Sequence, residues 1–324
     1  MTLTLSFRIH AFPFARAALT AVMLMATLTA SAAEEPVRFG TSGGLSNESI
    51  AISVAIDQGY FKEVGIEPEI IHFKGGAPAI QALAGGAIEY CICAPEHVIR
   101  LRNRGVDAIV AAPLDNRMGY ALFGPKDGSA KSLAELKGQK LGITSPGSKT
   151  DNLLRLALHR ADLDPDADVQ IVGIGGPANQ ISAIDTGNIA AGMLSGFEAL
   201  RAEQTHSVVY DWRTLRVPSL GLLALGGWAK EKPDVAKAVA SATRRGAELA
   251  ATDRTIRVKT LRELFPEADE ALIELAADKL NDSTVTSPRF AVEEFDALQK
   301  DILELEPELK PISFDEFNPA PVTQ

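Results

Sequence analysis

Short apolar runs alternate along this chain with longer stretches whose apolar positions recur every three or four residues, a pattern that predicts strands alternating with helices. Val37–Gly40 (VRFG) runs into the small-residue turn Thr41-Ser42-Gly43-Gly44-Leu45-Ser46 and the helical pattern NESIAISVAIDQGYF. Ser46 is placed to cap that helix, and Glu48 suits its positive end. Glu69–Phe73 leads into Lys74-Gly75-Gly76-Ala77-Pro78 and a short helix, and Ala87–Cys93 leads into Ala94-Pro95-Glu96 and the helix EHVIRLRNRG. Further along, the order recurs. Lys140–Ile143 enters Thr144-Ser145-Pro146-Gly147-Ser148, Val169–Ile174 enters Gly175-Gly176-Pro177, and Ile189–Leu194 enters Ser195-Gly196-Phe197-Glu198, each followed by a helical segment. Gly40 matches Gly142, Gly75-Gly76 match Gly175-Gly176, and the turn of Glu96 matches that of Glu198. Duplication of a lobe explains this better than chance similarity in an Ala/Gly-rich chain.

Strands alternating with helices imply an α/β fold with parallel sheets covered on both faces. In such sheets ligands bind beyond the carboxyl ends of the strands, where helix starts offer free N–H groups. All six turns fall at those ends. Any one of them is ordinary connecting chemistry; two lobes presenting three each predict a cleft between them. The chain is expected to cross between lobes near Tyr120–Phe123 and to return at Val217–Leu225. Amphipathic helices over Pro233–Ala251, Glu267–Leu280 and Ala291–Leu305 should then cover the first lobe, and Lys310–Gln324 reads as a loosely packed tail.

Residues 1–33 read as a cleavable export signal: Arg8 and Arg16 precede the apolar core AALTAVMLMATLT, and Ala30-Ser31-Ala32 offers a small-x-small cleavage pattern. No cysteine adjoins that site for lipid attachment. A length of 324 residues suits two domains, and a formal charge of -10 argues against nucleic acid, whose binding depends on neutralising phosphates. Cys91 and Cys93, two apart in an apolar run, are expected to be buried reduced thiols, and His97 alone completes no metal site.

Two motifs come close to cofactor signatures. Gly142-x4-Gly147 followed by Ser148-Lys149-Thr150 approaches a phosphate-binding loop, but Ser148 stands where the lysine must be. Gly173-x-Gly175-x-x-Ala178 matches the dinucleotide fingerprint, which keeps a nicotinamide-dinucleotide enzyme as an alternative. Against it, Glu198 precedes a helix instead of ending a strand. No catalytic cluster is present. The histidines are scattered, and Ser145 and Ser148 read as capping or ligand-binding hydroxyls with no neighbouring base to activate them.

RFGTSGG, IAIDQGYFKEVGIEPEIIHFKGGAPAIQAL, AGGAIEY and GWAKEKPDVAKAVASA together resemble the periplasmic solute-binding proteins of ABC importers. The branch is that of the aliphatic-sulfonate, nitrate, taurine and thiamine-pyrimidine binders. Gly59-Tyr60-Phe61 with Gly65-Ile66-Glu67-Pro68 is the most specific block, and the resemblance covers roughly Val37–Leu305. It implies a type II two-lobed fold with two hinge-crossing strands: lobe 1 from residues 34–122 and 220–324, lobe 2 from 123–219. It also implies a monomer in the periplasm, not inserted in the membrane, that needs no cofactor or metal and performs no catalysis. Its partners would be a small-molecule ligand, a permease and its ATPase subunits, although a sensor for a signalling receptor would share the same cleft. The resemblance further implies ligand contacts at Ser42, Gly43, Gly75, Gly76 and Glu96 in the first lobe. In the second they fall at Thr144, Ser145, Ser148, Gly176, Ser195 and Phe197. Helix starts favour an anion such as a sulfonate or carboxylate. Arg117 either pairs with it or is a surface arginine, while Glu96 and Asp151 pull toward an amine or a pyrimidine edge.

Overall fold

The computed structural model describes residues 35–42, 44–128 and 130–320; the expected export signal and Gly43 lie outside the described residues. The chain begins with β1 (Glu35–Ser42), a 3-10 turn (Asn47–Ser49) running into α1 (Ile50–Asp57), then α2 (Tyr60–Glu63), β2 (Ile66–Phe73), α3 (Gly76–Ala84), β3 (Tyr90–Cys93), α4 (Glu96–Asn103) and β4 (Ala108–Arg117). It continues through β5 (Tyr120–Gly124), β6 (Lys140–Ile143), α5 (Lys149–Arg160), β7 (Gln170–Gly173), α6 (Pro177–Asp185), β8 (Ala191–Ser195), α7 (Gly196–Ala202) and β9 (Ser207–Asp211). Last come β10 (Arg216–Leu225), α8 (Gly226–Glu231), α9 (Pro233–Thr252), α10 (Arg254–Leu264), α11 (Glu270–Lys279), α12 (Val292–Leu305) and α13 (Phe314–Phe317).

Two five-stranded sheets result, ordered β2-β1-β3-β10-β4 and β7-β6-β8-β5-β9. Both are mixed, where the alternation of strands and helices suggested parallel sheets. β1, β2 and β3 run parallel, as do β6, β7 and β8, but β10 is antiparallel to its neighbours in the first sheet and β5 to its neighbours in the second. The cause is connectivity. β4 leaves the first sheet at the carboxyl end of the parallel strands, so β5 must enter the second sheet from its own carboxyl end, and β9 and β10 repeat this in reverse. The exchanges fall at Met118–Gly119 and between β9 and β10, since β5 belongs wholly to the second sheet and β10 wholly to the first. Strand for strand, β1, β2, β3 hold the same places as β6, β7, β8, so the repeat seen in the turns is also a repeat of topology.

Apolar residues fill both faces of each sheet. Cys91, Cys93, Val110 and Leu223 pack with Ile99, Phe295 and Ile302 on one face of the first sheet, and Phe39, Tyr90, Ala112 and Leu222 pack with Ile52, Val239 and Ala247 on the other. A separate cluster joins the two halves at one end, where Ile50 and Val54 of α1 and Leu261 of α10 meet Phe197 and Leu200 of α7. The halves also meet where Arg160 of α5 pairs with Asp301 and Glu304 of α12, both at 2.7 Å.

Two expectations are corrected, and one helix was not expected. Cys91 and Cys93 are joined as a disulfide, their Cα atoms 5.3 Å apart and so within the span a bridge requires. The supposed loose tail is docked as far as it is described: Phe317 is fully buried, its ring 4.7 Å from that of Phe295, and Asn318 donates to the carbonyl of Val110. α10 has no counterpart among the expected elements. Its sequence (RTIRVKTLREL) is rich in charge, and the break that separates it from α9 is set by Asp253, whose carboxylate caps the N–H groups of Thr255 and Ile256.

α9 lies close on α1 because position 246 has no side chain: a Cβ there would overlap the Ala51 carbonyl oxygen and come within 3.0 Å of Ala55. Replacing Gly246 with Ala would gain about 1 kcal/mol of helix propensity, but the overlap with backbone forces the helices apart, at a cost of about 1–3 kcal/mol or more. The Gly246→Ala variant is therefore expected to unfold at lower temperature and lower urea concentration than the parent protein.

Candidate functional site

The turns at the carboxyl ends of the two sheets come face to face. Gly75, with φ of +126°, approaches Ser145 so closely that a Cβ would overlap the serine hydroxyl, and only glycine takes that conformation without strain. Behind Gly76, α4 opens with Glu96 and His97, both 3% exposed. From the other sheet, α5 opens with Lys149, 6% exposed. Its ammonium donates to Glu96 Oε2 (3.3 Å) and to the carbonyls of Pro218 (3.3 Å) and Ser219 (3.0 Å) on β10. Asn47 and Glu48 reach across in the opposite direction. Asn47 Oδ1 accepts from the Phe197 N–H at 2.9 Å, and Glu48 lies against Gly119 at the crossing.

Of the expected ligand contacts, Gly75, Gly76, Glu96 and Ser145 are brought together here, with Ser195 beside Glu48 and Tyr120 at the end of β8. Thr144 and Ser148 share a triangle of hydroxyl contacts with Thr150 (2.8–2.9 Å), which shapes the turn before α5. Phe197 is buried in the apolar cluster that joins the halves, stacked on Phe265 at 3.9 Å. Arg117 donates twice to Asp282 at 2.7 Å and once to the Arg213 carbonyl. Ser42 is exposed, and Gly176 caps α6 with nothing within 4 Å of where a Cβ would be. Asp151 accepts from the Gly147 N–H and from Arg155. The dinucleotide reading loses its acidic partner, because Glu198 is paired with Arg201 inside α7.

Burial and charge set unusual protonation along this seam. Burial pushes the Glu48 carboxyl up to about 7 against the pull of Lys149 and Ser195. Asp115 is pushed well above the usual carboxylate range by burial and by the charge of Glu48. Burial would raise Glu96 as well, but Lys149, His97 and Arg100 override it and hold it at about 2. His97 is lowered to about 4, chiefly by burial, and so is neutral at pH 7. Four buried polar atoms here have no hydrogen-bond partner: Glu48 Oε1, His97 Nε2, Ser145 Oγ and Ser219 Oγ. Each would cost about 1–3 kcal/mol if nothing ever met it.

Two mixed α/β sheets, joined by two crossings and facing each other through polar turns, define the class of two-lobed α/β binding folds. Residues 46–254 match the family model described as NMT1/THI5 like, and the chain belongs to that family. A Brucella abortus (strain 2308) chain named “Putative binding protein” is 31% identical over 156 residues, 48% of this chain and 46% of that one. The chain thus matches about half the length of such curated relatives. Among solved structures, a Bordetella bronchiseptica RB50 protein superposes with a TM-score of 0.79 at 22% identity, covering 87% of this chain and 93% of that one. The periplasmic aliphatic sulphonate binding protein SsuA of Escherichia coli gives 0.66 at 20% identity, covering 87% and 96%.

Asn47, Glu48, His97, Asp115, Tyr120, Lys149 and Ser219 were not anticipated as site residues. Only Lys149 carried a signal, as the lysine displaced from a near phosphate loop.

Two tests follow from this chemistry. A carboxyl raised from 4.5 to about 7 contributes stability fully below about pH 4.5 and loses it as the pH climbs to about 7, roughly 3 kcal/mol in all. Glu48→Gln should therefore gain urea resistance relative to the parent between pH 5 and 7 and hold a constant difference above that. His97 works the other way, losing stability as pH falls from 6.5 to about 4, so in the parent protein it offsets only part of the loss that Glu48 and Asp115 bring as the pH rises over that interval. Lys149→Met leaves Glu96 buried without its cation, which should cost about 3–5 kcal/mol, and adding Glu96→Gln should restore much of the loss in a double-mutant cycle.

Proposed function

We propose that this protein is the extracytoplasmic substrate-binding component of an ABC importer. A small organic solute is captured between lobes built on the two sheets, and the closed form delivers it to a membrane permease without chemical change. The observation that carries this reading is the set of four buried, unpartnered polar atoms drawn from both sheets onto one seam. Such groups need partners, and a solute held there meets both halves at once. An anionic group of the solute is drawn to the start of α5, where free N–H groups concentrate positive charge. The fold shared with the Escherichia coli aliphatic sulphonate binder supports the same reading. So does the leader-like sequence of residues 1–33, which directs the chain to the periplasm.

Because the solute touches both lobes, its binding free energy favours the closed arrangement over the open one. Small-angle scattering should show the radius of gyration falling when the cognate solute is added. The melting temperature should rise with the logarithm of solute concentration above its Kd. A scattering curve unchanged across sulfonates, carboxylates, amines and nitrogen heterocycles, or conversion of any of them seen by chromatography, would refute the reading.

A further inference from the structure

A cavity of about 300 Å³ opens where the chain crosses between the sheets, walled on one side by Glu48, Asp115 and Gly119. Its charges do not balance. Arg117 is engaged by Asp282, and Arg213 by Glu203 and Asp211, so the guanidinium groups on the wall are already matched. Lys279 stands exposed at the rim. The nearby buried ammonium, Lys149, is held by Glu96 and two carbonyls.

The deeper acids have no such partner. Asp115, 3% exposed, accepts from Ser283 Oγ (2.5 Å) and from the Arg117 N–H (2.9 Å), neither of which cancels a charge. Glu48 is 8% exposed; Ser195 and the more distant charge of Lys149 act on its carboxyl, but it forms no ion pair and its Oε1 accepts from nothing. The crossing backbone is shaped around that atom, for a Cβ on Gly119 would overlap it. Near neutral pH the pair holds a proton, and a cation that displaces it leaves carboxylates that accept and never donate, so the group that satisfies them must bring hydrogen. With Glu48 close enough to raise the proton affinity of Asp115, a positively charged donor satisfies both where a neutral hydroxyl satisfies one. Among the described residues no three His, Cys, Asp or Glu side chains gather as metal ligands.

We propose that this cavity is the subsite for a protonated nitrogen group of the captured solute, an ammonium or amidinium, seated on Glu48 Oε1 with Asp115 behind it. The assignment rests on the solute-capture reading and adds to it the chemistry of one end of the ligand.

Isothermal calorimetry on the full chain tests this with matched probes: benzamidinium against benzamide, propylammonium against propanol, and β-alanine against propionate. In the parent protein the nitrogen-bearing member of at least one pair should bind about 10–100-fold tighter, the range expected for a hydrogen bond to a charged group. Glu48→Gln should abolish that ratio and leave the affinity of the other member unchanged. Glu48→Asp, which keeps the charge on a shorter stem, should restore part of the preference and guards against a folding defect. A preference that survives Glu48→Gln, or lobe closure around a solute with no basic nitrogen, overturns the subsite but leaves solute capture intact. Absence of binding and of closure with every probe, and with sulfonates and carboxylates as well, overturns both.

Discussion

The ammonium of Lys149 is buried at the boundary of the two sheets, where it meets a carboxylate from α4 and two carbonyls from β10. Removing a lysine and a glutamate from water costs several kcal/mol for each ion, and their attraction in the interior only roughly offsets this. The pair therefore adds little net stability. What it does add is position. A buried ammonium tolerates few arrangements of its acceptors, so the starts of α4 and α5 and the returning strand are held in one register.

Strand direction explains why so much polar chemistry collects in one place. The outgoing crossing leaves at the carboxyl end of one parallel set and enters the other sheet at its carboxyl end. The turns that follow β1, β2, β3, β6, β7 and β8 are thereby turned toward a common boundary, and helix starts with free N–H groups come with them. Glycine at 75 and 119 then lets backbone come close enough that side chains from the opposite half fill the remaining space.

The repeated strand–turn–helix units were legible because strands and helices have different apolar periods and small residues punctuate them. The turns that hold Gly75, Gly76, Glu96 and Ser145 stood out for that reason, while it was the family resemblance that marked those residues as ligand contacts. The antiparallel members of the sheets were not legible, since an apolar run such as VPSLGLLAL carries no mark of its direction. The charged seam was hidden more deeply. Glu96 and Lys149 are 53 positions apart, and Asn47 and Phe197 are 150 apart, so neither contact leaves a local pattern. Glu48 read as an ordinary acid at a helix start because burial, which gives it its character, comes from residues beyond any sequence window. The tail misled for a related reason. Its prolines suggest looseness, whereas a single aromatic, Phe317, decides the packing.

The order of the sheets has one more consequence. β1–β5 and β6–β10 are equivalent sets, and each lends its fifth strand to the sheet of the other, where that strand lies between the borrower's third and fourth. The arrangement is that of a domain-swapped dimer fused into one polypeptide. Neither half is complete alone: cut between the halves, each would have a gap in the middle of its sheet that only the other piece fills. The two pieces would fold by finding one another.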